Sequence, residues 1–274
     1  VTAVLLRALL PGVTTRARHV TARNLLATRR QSATLLTGLV EPFVYLLSIG
    51  VGVGALVGDV EVDGRSYDYA TFVAPAMLAA SAMNGAISES TFNIFAKLRW
   101  ARLYDAMIAT PLSPSDIALG ELVFAQLRGT AYSAAFLLTM VGLGLVESWW
   151  AILALPATIL VGVAFAAAGL SVVTWFRSWE DADAVILAQM VLFLFSATFY
   201  PISVYPPLIQ QFALVSPLYH GVALCRNLVL GRPGPADLGH AAFLVVMAAV
   251  LLGVAARRFT TLLHDQAGGD HTPR

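Results

Sequence analysis

Two carboxylates, Glu41 and Glu89, lie inside long apolar stretches of this chain. An acid at membrane depth costs about 2.5–3.5 kcal/mol on insertion scales, so each must face protein, water or an interface. Glu41 is near the start of its stretch, where an interfacial and an interior position are both open. Glu89 shares a polar segment with Ser81, Asn84, Ser88 and Asn93 and is expected to line a cavity or to hydrogen-bond between helices. Proton coupling through the two acids is the alternative. Other reactive groups are scattered. Glu180, Asp181 and Asp183 form one acidic cluster, where a magnesium–diphosphate enzyme presents two. Ser216 precedes His220 by one helical turn, but nothing supplies an orienting acid. There is no H-E-x-x-H zinc motif and no G-x-S-x-G elbow. A P-loop is missing too: the single lysine, Lys97, follows Phe95-Ala96 and not a glycine loop. If ATP drives this protein, another chain hydrolyses it.

The elements that position these groups follow from composition. Of 274 residues, 58% are hydrophobic and 12% charged, and the net charge is +1. The mean hydropathy is +0.76. Soluble domains are about a quarter charged, so a soluble enzyme, a disordered chain and a disulfide scaffold are excluded. The near-neutral balance gives nucleic-acid binding no support, and the lone Cys225 forms no intrachain disulfide. An all-α membrane protein with about six spans fits, each of about 20 residues. The apolar start is followed by arginines and not by a small-residue cleavage site, so no cleavable signal is expected.

Residues 14–30 carry five arginines and read as a basic interfacial helix or as a disordered leader. The first span, over 33–57, has Gly50, Gly54 and Gly58 at four-residue spacing, a face for close helix packing. A short acidic loop follows. The second span, 70–95, bears the polar face around Glu89. Over 96–115, Trp100, Leu103, Tyr104, Met107 and Ile108 fall on one helical stripe, with Lys97, Arg99 and Arg102 off it. This amphipathic helix, 97–110, either lies on lipid or docks a partner. Further spans are read at 116–146, 149–176, 184–203 and 238–256. Arg128 lies near an interface and can snorkel. Between the last two spans the chain is apolar but broken by Pro201, Pro206, Pro207, Pro217, Pro233 and Pro235, which suits short helices that dip into the bilayer and return. With the N-terminus inside, the inner segments hold thirteen Lys or Arg and the outer ones only Arg65, Arg226 and Arg232. Both termini are therefore expected in the cytoplasm. The whole chain, 1–274, reads as one membrane domain, with an interfacial region at 1–32, a bundle at 33–259 and a tail at 260–274.

Three stretches carry a resemblance. They are Glu41-Pro42-Phe43-Val44-Tyr45-Leu46 with Gly50, Gly52 and Gly54; Tyr104-Asp105-Ala106-Met107 with Thr110-Pro111-Leu112-Ser113; and Phe199-Tyr200-Pro201-Ile202 through Pro206-Pro207-Leu208 and Ser216-Pro217-Leu218-Tyr219-His220 to Arg226 and Gly231. The sequence is similar to the permease subunits of ABC-2-type exporters, nearest the lipooligosaccharide (nodulation-type) and daunorubicin-type branch. The resemblance implies a bacterial plasma-membrane protein, paired with a second identical or related permease. It implies two partner ATPase chains that bind ATP and magnesium, and no cofactor on this chain. Lys97, Arg99, Trp100, Arg102, Leu103, Tyr104, Asp105 and Met107 would couple to those ATPases. Spans one, two and five would line the path of an amphipathic substrate, and Tyr200, Pro201, Pro206, Pro207, Pro217 and Arg226 would shape its outer exit. The alternatives are a proton-coupled secondary exporter and a membrane-bound transferase.

Overall fold

A computed structural model describes residues 11–28, 44–62, 64–99 and 103–268. Helix α1 (Pro11–Thr28) is followed by α2, π-helical over Ser48–Val53 and α-helical over Gly54–Val57. Gly58 ends it at φ +69°, a conformation that costs any residue with a Cβ. The acidic loop expected next is a hairpin of β1 (Asp59–Val62) and β2 (Arg65–Asp68), paired antiparallel with Val62 opposite Arg65. Gly64, at φ +76°, sits in its two-residue turn.

Helix α3 (Tyr69–Ser88) passes through a π turn (Glu89–Asn93) into α4 (Ile94–Arg99). The Asp68 carboxylate caps it by accepting from the Ala70 amide. Of the amphipathic helix expected over 97–110, the residues up to Arg99 are helical at the end of α4 and Leu103–Ile108 form α5; residues 100–102 between them lie outside the described residues. Helix α6 (Pro114–Gly142) starts at a capping box in which Ser113 and Asp116 satisfy each other's backbone amides. A 3-10 turn (Trp149–Leu153) leads into α7 (Ala154–Val173), followed by α8 (Asp181–Phe195), α9 (Pro207–Val215), α10 (Pro217–Val229) and α11 (Pro235–Gly268). Pro207 and Pro217 open α9 and α10 at their first turns, where proline's missing N–H costs nothing.

Among the described residues three helices are long and apolar enough to cross a membrane: Tyr69–Leu98, Trp149–Val173 and Pro235–Arg258. The α9–α10 pair, bent by 85°, makes a fourth candidate. At 15 residues α8 is short for a crossing. In α6, Gln126, Arg128, Thr130, Tyr132 and Ser133 dilute the apolar character.

The first of these helices is 83% buried over its most apolar window and the last only 17%, so α3 is central and α11 peripheral. Close approach is achieved at glycines. A Cβ on Gly169 of α7 would run into Ser90 Oγ, and one on Gly120 of α6 would meet Val20 Cβ at 2.5 Å. Helix α1 therefore rests on α6 through Ala17, Val20 and Thr21, whose hydroxyl donates to the Gly120 carbonyl at 3.0 Å, while Arg18 and Arg23 stay exposed.

Candidate functional site

A cleft of about 470 Å³ opens between α3 and α8. From α3 come Met77, Ala80, Ser81, Asn84 and Ser88, followed by Phe92 of the π turn. From α8 come Ile186, Gln189, Met190 and Phe193; Phe136 of α6 and Tyr45, just before α2, complete the lining. Both sets follow helical spacing, so each helix offers one face. Asn84 and Gln189 meet across the cleft, with Gln189 Nε2 donating to Asn84 Oδ1 at 2.5 Å.

Glu89 and Asn93 do not line the cleft. The π turn rotates them toward α6, where the Glu89 carboxylate accepts from Asn93 Nδ2 at 2.6 Å and from Arg128. Arg128 does not reach out as a snorkelling residue. It is an interior partner of Glu89 and also donates through Nε to Tyr132 Oη at 3.0 Å. Glu41 lies outside the described residues.

Of the eight expected coupling residues, the four whose side chains are described, Lys97, Leu103, Tyr104 and Met107, turn inward. Lys97 Nζ pairs with the buried Glu121 carboxylate at 2.6 Å. Tyr104 and Met107 are buried in a core shared with Phe95, Ile117 and Phe176, and Leu103 packs against it. Burial, reinforced by the neighbouring Glu121 carboxylate, raises the Tyr104 phenol well above its ordinary pKa. Arg99 ends α4 and Asp105 lies in α5; Trp100 and Arg102 lie outside the described residues. The α5 face left outward carries Ala106 and continues into Ala109, Thr110 and Pro111.

Of the three packing glycines, Gly54 meets Tyr69 Cβ only at ordinary contact distance, 4.0 Å. Gly50 lies in the π-helical part of α2. Gly58 is not a packing residue: it is the helix stop, with nothing within 4 Å of a Cβ built there.

The proline-broken segment is tied together by Arg226. Counted from sequence among outer charges, it is instead buried in α10. Its Nη2 donates to the carbonyls of Ala197 at 2.8 Å and Thr198 at 3.1 Å, and its Nε to that of Phe72 at 3.2 Å. The guanidinium also lies 3.9 Å from the centre of the Phe72 ring. Tyr200 packs edge-on against Tyr205 at 4.8 Å, across the turn that Pro201 and Pro206 bracket.

The remaining reactive groups are occupied otherwise. Ser216 Oγ bonds Ser196 Oγ at 2.6 Å, and His220 Nδ1 faces His240 Nδ1 at 2.8 Å, so no serine–histidine pair forms. Asp181 accepts from the backbone amides of Arg177 and Ser178, which hold its carboxyl below the usual range. Among the described residues no three metal-ligating side chains converge.

Among the described residues, three apolar helices long enough to cross a bilayer, one of which lines a cleft walled by apolar side chains and a few amides and hydroxyls, define an integral membrane helical domain. The chain belongs to the ABC-2 type transporter family, whose sequence profile matches residues 15–230. It is similar to nodulation protein J of Rhizobium leguminosarum bv. trifolii, 35% identical over 228 residues that cover 82% of this chain and 85% of that protein. Nodulation protein J of Sinorhizobium fredii is 34% identical over 231 residues, with 82% and 86% covered. That of Azorhizobium caulinodans is 27% identical over 248 residues, with 89% and 95% covered. The family is one of membrane transport subunits, and an exporter role is consistent with these relatives.

Sequence reasoning found Ser81, Asn84 and Ser88 because hydroxyls and amides at helical spacing stand out in an apolar span. It missed Gln189 and Phe136. Gln189 is an isolated polar residue in α8, which the 3.6-residue period places on a face with Ile186, Met190 and Phe193; that signal was readable. Phe136 carries none.

Proposed function

We propose that this chain is the six-span membrane subunit of an ATP-driven exporter, which moves amphipathic molecules such as lipid-linked sugars or hydrophobic drugs out of the inner leaflet or cytoplasm. Two permeases, identical or related, pair in the bacterial plasma membrane with both termini cytoplasmic. Two separate chains bind ATP and magnesium and dock on the inner face near α1 and α5. The observation that carries the reading is the α3–α8 cleft, whose apolar walls and single polar strip match a molecule with both characters. ATP binding would close the partner chains and rock the permeases between inward and outward states.

The inward packing of Tyr104 and Met107 refines the coupling. These residues tie α5 to the bundle, and the partner contact is left to the basic off-stripe positions Arg99 and Arg102 and to the outward edge that ends at Pro111. Arg16 braces that edge by donating to the Pro111 carbonyl at 3.0 Å. Glu89 is paired with Arg128 and does not stand on the cleft.

The test is ATP-dependent uptake of a fluorescent amphiphile into inside-out vesicles that contain the chain and its co-purified ATPase. The Arg99→Glu/Arg102→Glu variant should insert normally but lose most ATP-dependent uptake. Uptake driven by a proton gradient without ATP overturns the proposal, and normal uptake by the double variant overturns the docking assignment.

A further inference from the structure

We propose that the Asn84–Gln189 bridge is the lateral gate and headgroup selector of the cleft, admitting amphiphiles whose polar head is uncharged. The inference rests on the cleft being the transport path.

Helix α8 is fastened at its two ends. At the inner end, the Asp181 carboxylate accepts from the Arg177 and Ser178 amides, and the Trp179 ring packs tilted against Phe95 at 5.5 Å. At the outer end, Tyr205 Oη donates to the Leu194 carbonyl at 3.0 Å, and Arg226 holds the carbonyls of Ala197 and Thr198. Ala182, in the first turn, is the only residue of α8 that is fully buried. Among the described residues the only side-chain hydrogen bond from α8 to α3 is Gln189 Nε2 to Asn84 Oδ1. Val185, Leu192 and Phe193 also pack on the core, and the Gln189–Asn84 bond is the polar bridge from the middle of this strap to α3.

In an apolar medium two amides that face one another satisfy each other, and neither can be freed without a replacement partner. An entering hydroxyl, amide or sugar head supplies that replacement, accepting from Gln189 and donating to Asn84. The strap then opens at little net cost. A charged head finds no such exchange. None of the residues lining the cleft is ionisable as an acid or base near neutral pH. Glu89, the acid nearest in sequence, is turned away and paired with Arg128. An ammonium or sulfonate would enter uncompensated, which is costly in a low-dielectric site. The alkyl or aromatic body has Met77, Phe136, Met190 and Phe193 to pack against.

The experiment is photolabelling of the full chain in proteoliposomes with three diazirine amphiphiles of equal chain length, ending in a hydroxyl, a trimethylammonium or a sulfonate, at matched membrane loading. Mass spectrometry reads the labelled residues. The alkanol should label the cleft face of α3 and α8 about tenfold more than either charged probe. Asn84→Asp should reverse the order in favour of the ammonium probe; Gln189→Glu, on the opposite helix, should do the same and covers a failure of the first variant to fold. A role confined to holding the helices together would not exchange one headgroup for another. Asn84→Cys/Gln189→Cys, joined by a short bis-methanethiosulfonate crosslinker that forms a disulfide with each thiol and releases sulfinate, should abolish labelling; the native Cys225 is fully buried and leaves the introduced thiols to react alone. Equal labelling by all three probes, or an order unchanged by both charged variants, overturns the selector and leaves the cleft as the path. Labelling of the crosslinked protein as strong as that of the open one overturns the gate. No cleft labelling by any probe overturns the path and the selector together.

Discussion

Gly221 of α10 lies against Val161 of α7, and the contact can be made to report how the proline-broken segment is seated. A Cβ built on Gly221 would meet Val161 Cγ2 at 2.6 Å, while the next atoms, Val161 Cγ1 and Cβ, stand at 3.6 and 3.8 Å. The obstruction is therefore one methyl group. Val161 is fully buried, and a β-branched side chain in a helix has one strongly preferred rotamer, so the methyl cannot swing away. Overpacking of this kind costs about 1–3 kcal/mol, and the stiffness of Val161 places it at the upper end. Replacing a helical glycine by alanine returns about 1 kcal/mol. Gly221→Ala should thus destabilise by about 2 kcal/mol. Val161→Ala removes two buried methyls and should cost about 2–3 kcal/mol. In the double variant the new methyl occupies vacated space and the helix-propensity gain remains, leaving a net loss of about 1 kcal/mol. The singles and the double therefore couple by about 3 kcal/mol, at the top of the usual range for residues in contact. SDS titration of the four purified proteins in mixed micelles measures each step. Additivity within about 0.5 kcal/mol would refute the seating of α10 on α7.

Three further outcomes follow from buried polar groups and strain. Arg128→Ala should destabilise by about 3–5 kcal/mol, because it strands the Glu89 carboxylate in the interior, whereas Arg128→Ala/Glu89→Gln should recover most of that loss; equal damage from both variants in the same titration would refute the pairing. Ala197 holds φ +55° beneath the Arg226 guanidinium, so Ala197→Gly should be tolerated to within about 1 kcal/mol and Ala197→Val should lose about 2 kcal/mol or more, read as detergent melting temperatures. The raised pKa of Tyr104 stabilises the fold fully below the phenol's ordinary pKa of 10.0, and that contribution is lost as pH climbs from there toward the folded value. Tyr104→Phe should therefore flatten the alkaline fall in stability above about pH 10, and an unchanged alkaline limb would count against the burial.

What the sequence discloses and what it hides divide along a physical line. The polar face of α3 is legible because Ser81, Asn84 and Ser88 repeat at helical spacing within an apolar run. The breaks at Pro207 and Pro217 are legible because proline both forbids the preceding turn and suits the next one. The inward direction of the stripe at Tyr104 and Met107 is not, since an apolar face can lie on lipid, on a partner or on the chain's own core. Nor is the direction of Glu89: a π turn at Glu89–Asn93 shifts the helical phase, and Asn93 and Glu89 end on the α6 side while Phe92 ends on the cleft side. The pairings Lys97–Glu121 and Glu89–Arg128 join residues 24 and 39 positions apart, and no periodicity encodes such partners. Gly120, Gly169 and Gly221 likewise acquire their meaning only from the neighbour each one admits.

The inner core supplies the link that the proposed mechanism needs. Tyr104 and Met107 of α5, Val20 of α1 and Ala182 of α8 belong to one buried cluster, bound through Phe95 and Phe176, whose rings meet edge-on at 5.6 Å. Close-packed interiors transmit displacement and do not absorb it. On the proposed topology, a partner that shifts α1 or α5 therefore moves the Asp181 end of α8, while the Phe195 end is fixed through Arg226 to α10 and α3. With one end driven and the other held, the strain falls on the middle of the helix, where Gln189 meets Asn84. On the proposed reading, the moving middle of α8, from Ala184 to Phe195, contains only uncharged side chains.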